Sequence, residues 1–100
     1  MDRVKAGEYF RKAALLGNAH AQYNLATLYV QHPDALTKDK RSKTDALALQ
    51  WFKKSAAARH PAAMAYLADV YTYGKLGQRP NRKLAASWKQ KADAAEEKRK

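Results

Sequence analysis

Three histidines, nine carboxylate side chains and no cysteine are what this 100-residue chain offers for building a reactive centre. His20, His32 and His60 never stand at i, i+3 or i+4 from one another, the spacings that put two metal ligands on one helical face. Without cysteine there is neither a thiolate ligand nor a disulfide. His32 precedes Pro33 and His60 precedes Pro61, so helix boundaries account for both. Glu96 and Glu97 are adjacent, which on a helix turns them to different sides, unlike a positioned acid/base pair. Gly74 and Gly77 lack the following Lys-Ser/Thr and helix start of a phosphate loop. The expectation is no enzyme, no metal and no cofactor.

What the residues do supply is positive charge, with a formal net charge of +11. Residues 1–36 carry four basic and three acidic side chains, 37–60 seven and two, and 61–100 nine and four. A field of that sign favours anionic partners and speeds their encounter. Nucleic acid is disfavoured, because no exposed aromatics interleave with the cations for base stacking and no groove-reading motif is present. No apolar run approaches the length of a membrane span. The N-terminus, MDRVKAGEYF, lacks the layout of a signal peptide, so the chain as given reads as cytoplasmic. The mature part of an exported protein would look the same.

The elements that must position these cations are set by a repeat. Residues 9–29 (YFRKAALLGNAHAQYNLATLY) lie without a gap over 51–71 (WFKKSAAARHPAAMAYLADVY), with seven of 21 pairs identical. A third, partial copy aligns Leu47, Ala48, Trp51 and Lys54 with Leu84, Ala85, Trp88 and Lys91. Periods of 42 and 37 residues signal stacked supersecondary units rather than one closed globule. Helical periodicity predicts a first helix from Asp2 to Leu16, with Ala6, Tyr9, Phe10, Ala13 and Ala14 inward. Gly17 stops it, and Asn18 caps a second helix over 18–31 that buries Ala21, Leu25, Ala26, Leu28 and Tyr29.

A polar, basic loop is expected over 33–43. Thr44 then caps a third helix to about Arg59, with Ala48, Trp51, Phe52, Ser55 and Ala56 inward. His60-Pro61 opens a fourth helix ending near Tyr73, and Asn81 caps a fifth over 82–97. The domain divides into a hairpin at 2–31, a loop at 32–43, a hairpin at 44–74, a loop at 75–80 and a capping helix at 81–97. In the third copy Lys89 replaces Phe10 and Phe52, and Asp93 replaces Ala14 and Ala56, as suits a terminal helix with nothing stacked beyond it.

The strings YFRKAA with LATLY, WFKKSA with LADVYTYG, and LAASWKQKA resemble the Sel1-like repeat, a relative of the tetratricopeptide repeat. The spacings exceed the roughly 34 residues of a tetratricopeptide unit, in keeping with that resemblance. The chain departs from the family pattern at Val30-Gln31-His32, where a glycine usually follows the tyrosine, and at Ala26 and Ala68, where many members carry glycine. The resemblance implies an all-α solenoid of about five helices arranged as antiparallel hairpins in a right-handed superhelix. It also implies an adaptor, scaffold or regulator, in bacteria sometimes a neutraliser of a toxin partner.

In such a superhelix the first helices of successive pairs line the concave surface. Arg11, Lys12, Gln50, Lys53, Lys54 and Lys91 then form a candidate stripe for an acidic surface or peptide of another protein. Lys38, Lys40, Arg41 and Lys43 form a second candidate in the basic loop. The plainer alternatives are solvated lysines for the stripe and a charged connector for the loop. A chain of two and a half repeats also leaves self-association, or membership of a longer array, open. Gly7 costs roughly 1 kcal/mol against alanine within the first helix, whose outward face could seek a neighbour.

Overall fold

Three of the helix stops in this chain are made by a residue in the left-handed region. The computed structural model describes residues 3–38 and 40–99, and contains α1 (Arg3–Leu15), α2 (Ala19–Gln31), α3 (Arg41–Ala57), α4 (Pro61–Tyr73) and α5 (Arg82–Arg99). A single 3₁₀ turn, Pro33–Ala35, follows α2. No strand occurs among the described residues. Gly17 (φ 91°), Arg59 (φ 65°) and Gly74 (φ 72°) end α1, α3 and α4. In each case the next residue's N–H reaches back five positions: Asn18 to Ala13, His60 to Ser55 and Lys75 to Val70. These are Schellman turns, which satisfy the last carbonyls of a helix.

The opening caps follow the sequence at three of the five starts. Asn18 accepts the Ala21 N–H at 2.9 Å, and Asn81 accepts that of Leu84 at 3.1 Å. His60 Nδ1 accepts the Ala63 N–H at 3.4 Å, with Pro61 at the first helical position. The Asp2 cap lies outside the described residues. The third start differs from expectation. α3 begins at Arg41, after an extended Lys40, so Thr44 is not a cap but a fully buried residue within the first turn. Its hydroxyl donates to the Arg41 carbonyl at 2.9 Å, a bond that a helix-interior threonine can make. The connector is shorter for the same reason, with Arg41 and Lys43 on the helix. α5 continues to Arg99, past the expected end at 97.

The helices stack in chain order. α2 packs against α1 and α3, and α4 against α3 and α5, most extensively in the pairs α2–α3 and α4–α5. α1 and α3 approach each other far less, as do α3 and α5, and α2 and α4, so each helix is held chiefly by its neighbours in the chain. The core runs along the stack through Leu25, Ala48, Phe52, Leu67 and Val70. Phe52 is its central piece. Tyr66 stacks on its ring at 4.2 Å and Tyr23 meets it edge-on at 5.7 Å, so α2 and α4 close on one side chain of α3. Ser55 adds a tie between repeats, donating its hydroxyl to the Ala19 carbonyl at 2.7 Å.

Two expectations of burial change, one on α1 and one on α2. Tyr9 is 69% exposed, although Trp51 and Trp88 at the equivalent positions pack against the core. Its ring meets that of Phe10 edge-on instead. Leu28 is half-buried rather than buried. Gly7, by contrast, is buried, and a side chain there would collide with Leu36 from the segment after the 3₁₀ turn. Its missing Cβ admits that leucine onto the helix.

Candidate partner-binding face

The candidate stripe is built on a motif of tryptophan with lysine three residues on. In α3 the Lys54 ammonium lies 4.7 Å from the Trp51 ring centroid, and in α5 Lys91 lies 4.6 Å from that of Trp88. Residues at i and i+3 share a helix face, so the lysine stem can lie along the indole while its charge stays in water. Such exposed cation–π pairs contribute about 0.5–1 kcal/mol each. α1 carries the lysine without the partner ring, since Tyr9 turns to an edge contact with Phe10 at 5.8 Å.

The remaining stripe residues are placed unequally. Lys12, Gln50 and Lys53 are exposed. Arg11 reaches toward α2 and donates from Nη2 to the Tyr29 hydroxyl at 2.8 Å, beside a small crevice it shares with Val4, Gly7 and Leu36. The second candidate set divides as the helix start requires. Lys38 and Lys40 lie in the connector, while Arg41 pairs with Asp45 one turn on at 3.2 Å.

A feature that the sequence reading did not single out lies beside Lys91. Where α3 and α5 diverge, a trough of about 650 Å³ opens over α4. Its walls are apolar: Ala56 and Ala57 from α3, Met64 from α4, and Trp88, Ala94 and Ala95 from α5. The charged residues lining it are Arg59 and Lys91, both cationic. Alanine at four wall positions is what leaves the space. One signal for this site was present in the repeat alignment, where Arg59 stands opposite Gly17 at a helix stop.

The histidines also meet in a way their spacing concealed. His20 Nδ1 and His60 Nε2 are 3.3 Å apart, and the His60 ring stacks on Tyr23 at 5.1 Å. Because His60 Nδ1 accepts the cap bond, its neutral ring carries the proton on Nε2 and donates it to His20. The pair clasps the start of α2 to the start of α4. Two imidazoles fall short of the three or four protein ligands of a zinc site. No larger group of His and carboxylates joins them among the described residues. Burial raises the Tyr66 phenol above its ordinary pKa, with Asp45, Tyr23 and Asp69 adding to the rise and Arg41 opposing it. No helix among the described residues is long and apolar enough to cross a membrane.

The stacked pairs, the period and the Schellman turns define an α-solenoid. The Sel1 repeat model matches residues 2–18, 19–60 and 61–92, and the chain belongs to the Sel1 repeat family. The matched unit 19–60 joins α2 to α3, one of the two most closely packed pairs. Among solved structures the fold is similar to a Sel1 repeat protein from Oxalobacter formigenes, with a TM-score of 0.78 and 28% identity over 94% of this chain. The chain spans 36% of that protein. It is also similar to a protective antigen of uropathogenic Escherichia coli strains displaying an SLR fold, with a TM-score of 0.45, 23% identity, and coverage of 93% of this chain and 26% of that one. No curated protein sequence gives a significant match. Sel1 repeat proteins generally act as protein–protein interaction modules.

Proposed function

We propose that the chain binds an acidic surface or peptide of another protein along the face carried by α1, α3 and α5, by contact and without turnover. Lys12, Lys54 and Lys91 supply the line of charge, with Gln50, Lys53 and Arg11 beside it. The observation that carries this reading is the recurrence of the Trp51–Lys54 pair as Trp88–Lys91. An ammonium already held over a ring loses less freedom on meeting a carboxylate than a free one does. Both lysines are exposed, so a partner's carboxylate can reach them. Adaptor, scaffold and regulator roles, neutralisation of a toxin partner among them, would all use such a face.

The test is affinity capture from the native host, run in parallel with a variant carrying Lys12→Glu, Lys54→Glu and Lys91→Glu. The bound protein should be lost in the variant, and equal capture would rule out the stripe. A salt titration against DNA and RNA separates the competing case. Binding that weakens steeply with salt and tolerates any sequence would assign the charge to phosphates instead.

A second reading rests on α1. Val4, Tyr9 and Leu15 on that helix, and Leu16 just after it, are 51%, 69%, 70% and 88% exposed. Their apolar surface suits self-association or a further repeat. Light scattering over a range of concentrations should show a mass that rises with concentration and reverts with Tyr9→Lys and Leu16→Lys. A constant monomer mass would exclude self-association.

A further inference from the structure

We infer that the trough between α3 and α5 is the specific part of the proposed face, taking bulky apolar side chains of a partner segment flanked by aspartate or glutamate. The inference rests on the reading above and assigns its selectivity to Arg59. The trough's volume falls in the roughly 300–1,000 Å³ range of pockets that enclose a compact ligand, so it has room for more than one large side chain. Its floor and walls offer alanine methyls, Met64 and the Trp88 ring, surfaces that gain from covering by leucine or an aromatic. Its charges are of one sign, and no carboxylate lines it among the described residues. An apolar segment with acidic flanks complements both properties. A basic or neutral one complements at most one.

Arg59 supplies the independent observation. It holds φ 65°, the left-handed region that Gly17 fills at 91° one repeat earlier. A glycine would make this turn without strain, yet the chain places a long cation there, at the rim of the trough. The quasi-equivalent positions one repeat earlier are filled differently. Leu15 stands at the position of Ala57, Gln22 at that of Met64 and Gly17 at that of Arg59. The Gln22 amide there donates to the Ala14 carbonyl at 3.1 Å. Alanine walls and the Arg59 cation therefore come together in the second repeat, where the first has Leu15 and Gly17.

The experiment pans a random displayed peptide library on the whole chain and measures the enriched peptides against Arg59→Gly and Lys91→Glu. The expected peptides combine leucine or aromatics with aspartate or glutamate. Their affinity should fall about tenfold on Arg59→Gly, the effect of losing one charge-assisted contact. A blue shift of tryptophan emission should accompany binding and vanish in Trp88→Phe. Arg59→Gly relieves the backbone, so a thermal melt at or above that of the parent chain would exclude unfolding as the cause. Enrichment of basic or uncharged peptides, no enrichment, or equal binding by Arg59→Gly would each overturn the inference. Acidic peptides that weaken on Lys12→Glu with Lys54→Glu but bind Arg59→Gly normally would overturn the trough alone, leaving the broader face in place.

Discussion

Arg59 sets the clearest conflict between local backbone preference and side-chain identity in the molecule. A non-glycine residue in the left-handed region costs about 1–2 kcal/mol, and glycine gives part of that back through the freedom of the unfolded chain. Arg59→Gly should therefore raise the unfolding free energy by roughly 1 kcal/mol in urea denaturation, and a fall would show the turn to be unstrained. Tyr66 gives the pH dependence. Its phenol is raised by burial and by nearby carboxylates, so the fold favours the protonated form. The stability this contributes is complete below the ordinary phenol pKa of about 10 and declines as pH climbs through the raised folded value. Tyr66→Phe should flatten alkaline loss of stability in melts followed from neutral pH upward, and an unchanged decline would assign it to other groups. At this scale the sequence was legible where chemistry is local, as at Asn18, Asn81 and Gly17. His20 and His60 were not legible as a pair, because 40 residues of chain and two helix starts separate atoms that lie 3.3 Å apart.

The elements were read correctly in number and order because a repeat reports the same periodicity more than once. Their errors arose where one residue type serves two roles. Thr44 caps a helix or back-bonds inside one with equal chemical ease, and only burial decides. Tyr9 aligns with Trp51, but repeat equivalence in sequence does not carry over to burial: Trp51 packs against the core and Tyr9 is exposed. Gly7 makes a related point. Helix propensity alone predicts about 1 kcal/mol of stabilisation from Gly7→Ala. The new methyl must displace Leu36, so the measured gain should fall short of that. A double-mutant cycle with Leu36→Ala should restore it, giving a coupling above about 0.5 kcal/mol in denaturant melts. Additive effects would show that Leu36 moves aside freely.

For the whole molecule, the stack depends on a few side chains that reach across repeats. Phe52 is held from α2 by Tyr23 and from α4 by Tyr66, and Ser55 and the histidine clasp run the same way. Phe52→Ala should cost about 3–5 kcal/mol, a large part of the stability of a chain of this size. Circular dichroism should report loss of all five helices together rather than of one pair. Survival of one pair would mean that the repeats fold independently. The aromatic cluster was hidden from sequence for a physical reason: Tyr23 and Tyr66 occupy different repeat positions and converge only because α2 and α4 both reach Phe52 of α3.

The alanine walls of the trough carry a further consequence. Ala57 and Ala94 face solvent, outside the packed interior, whereas Ala56 and Met64 belong to it. Enlarging either outer residue would reshape the opening one methyl at a time while the interior stays as it is. Recognition in this chain can thus drift or be redesigned on its own, without reopening the question of whether the protein folds.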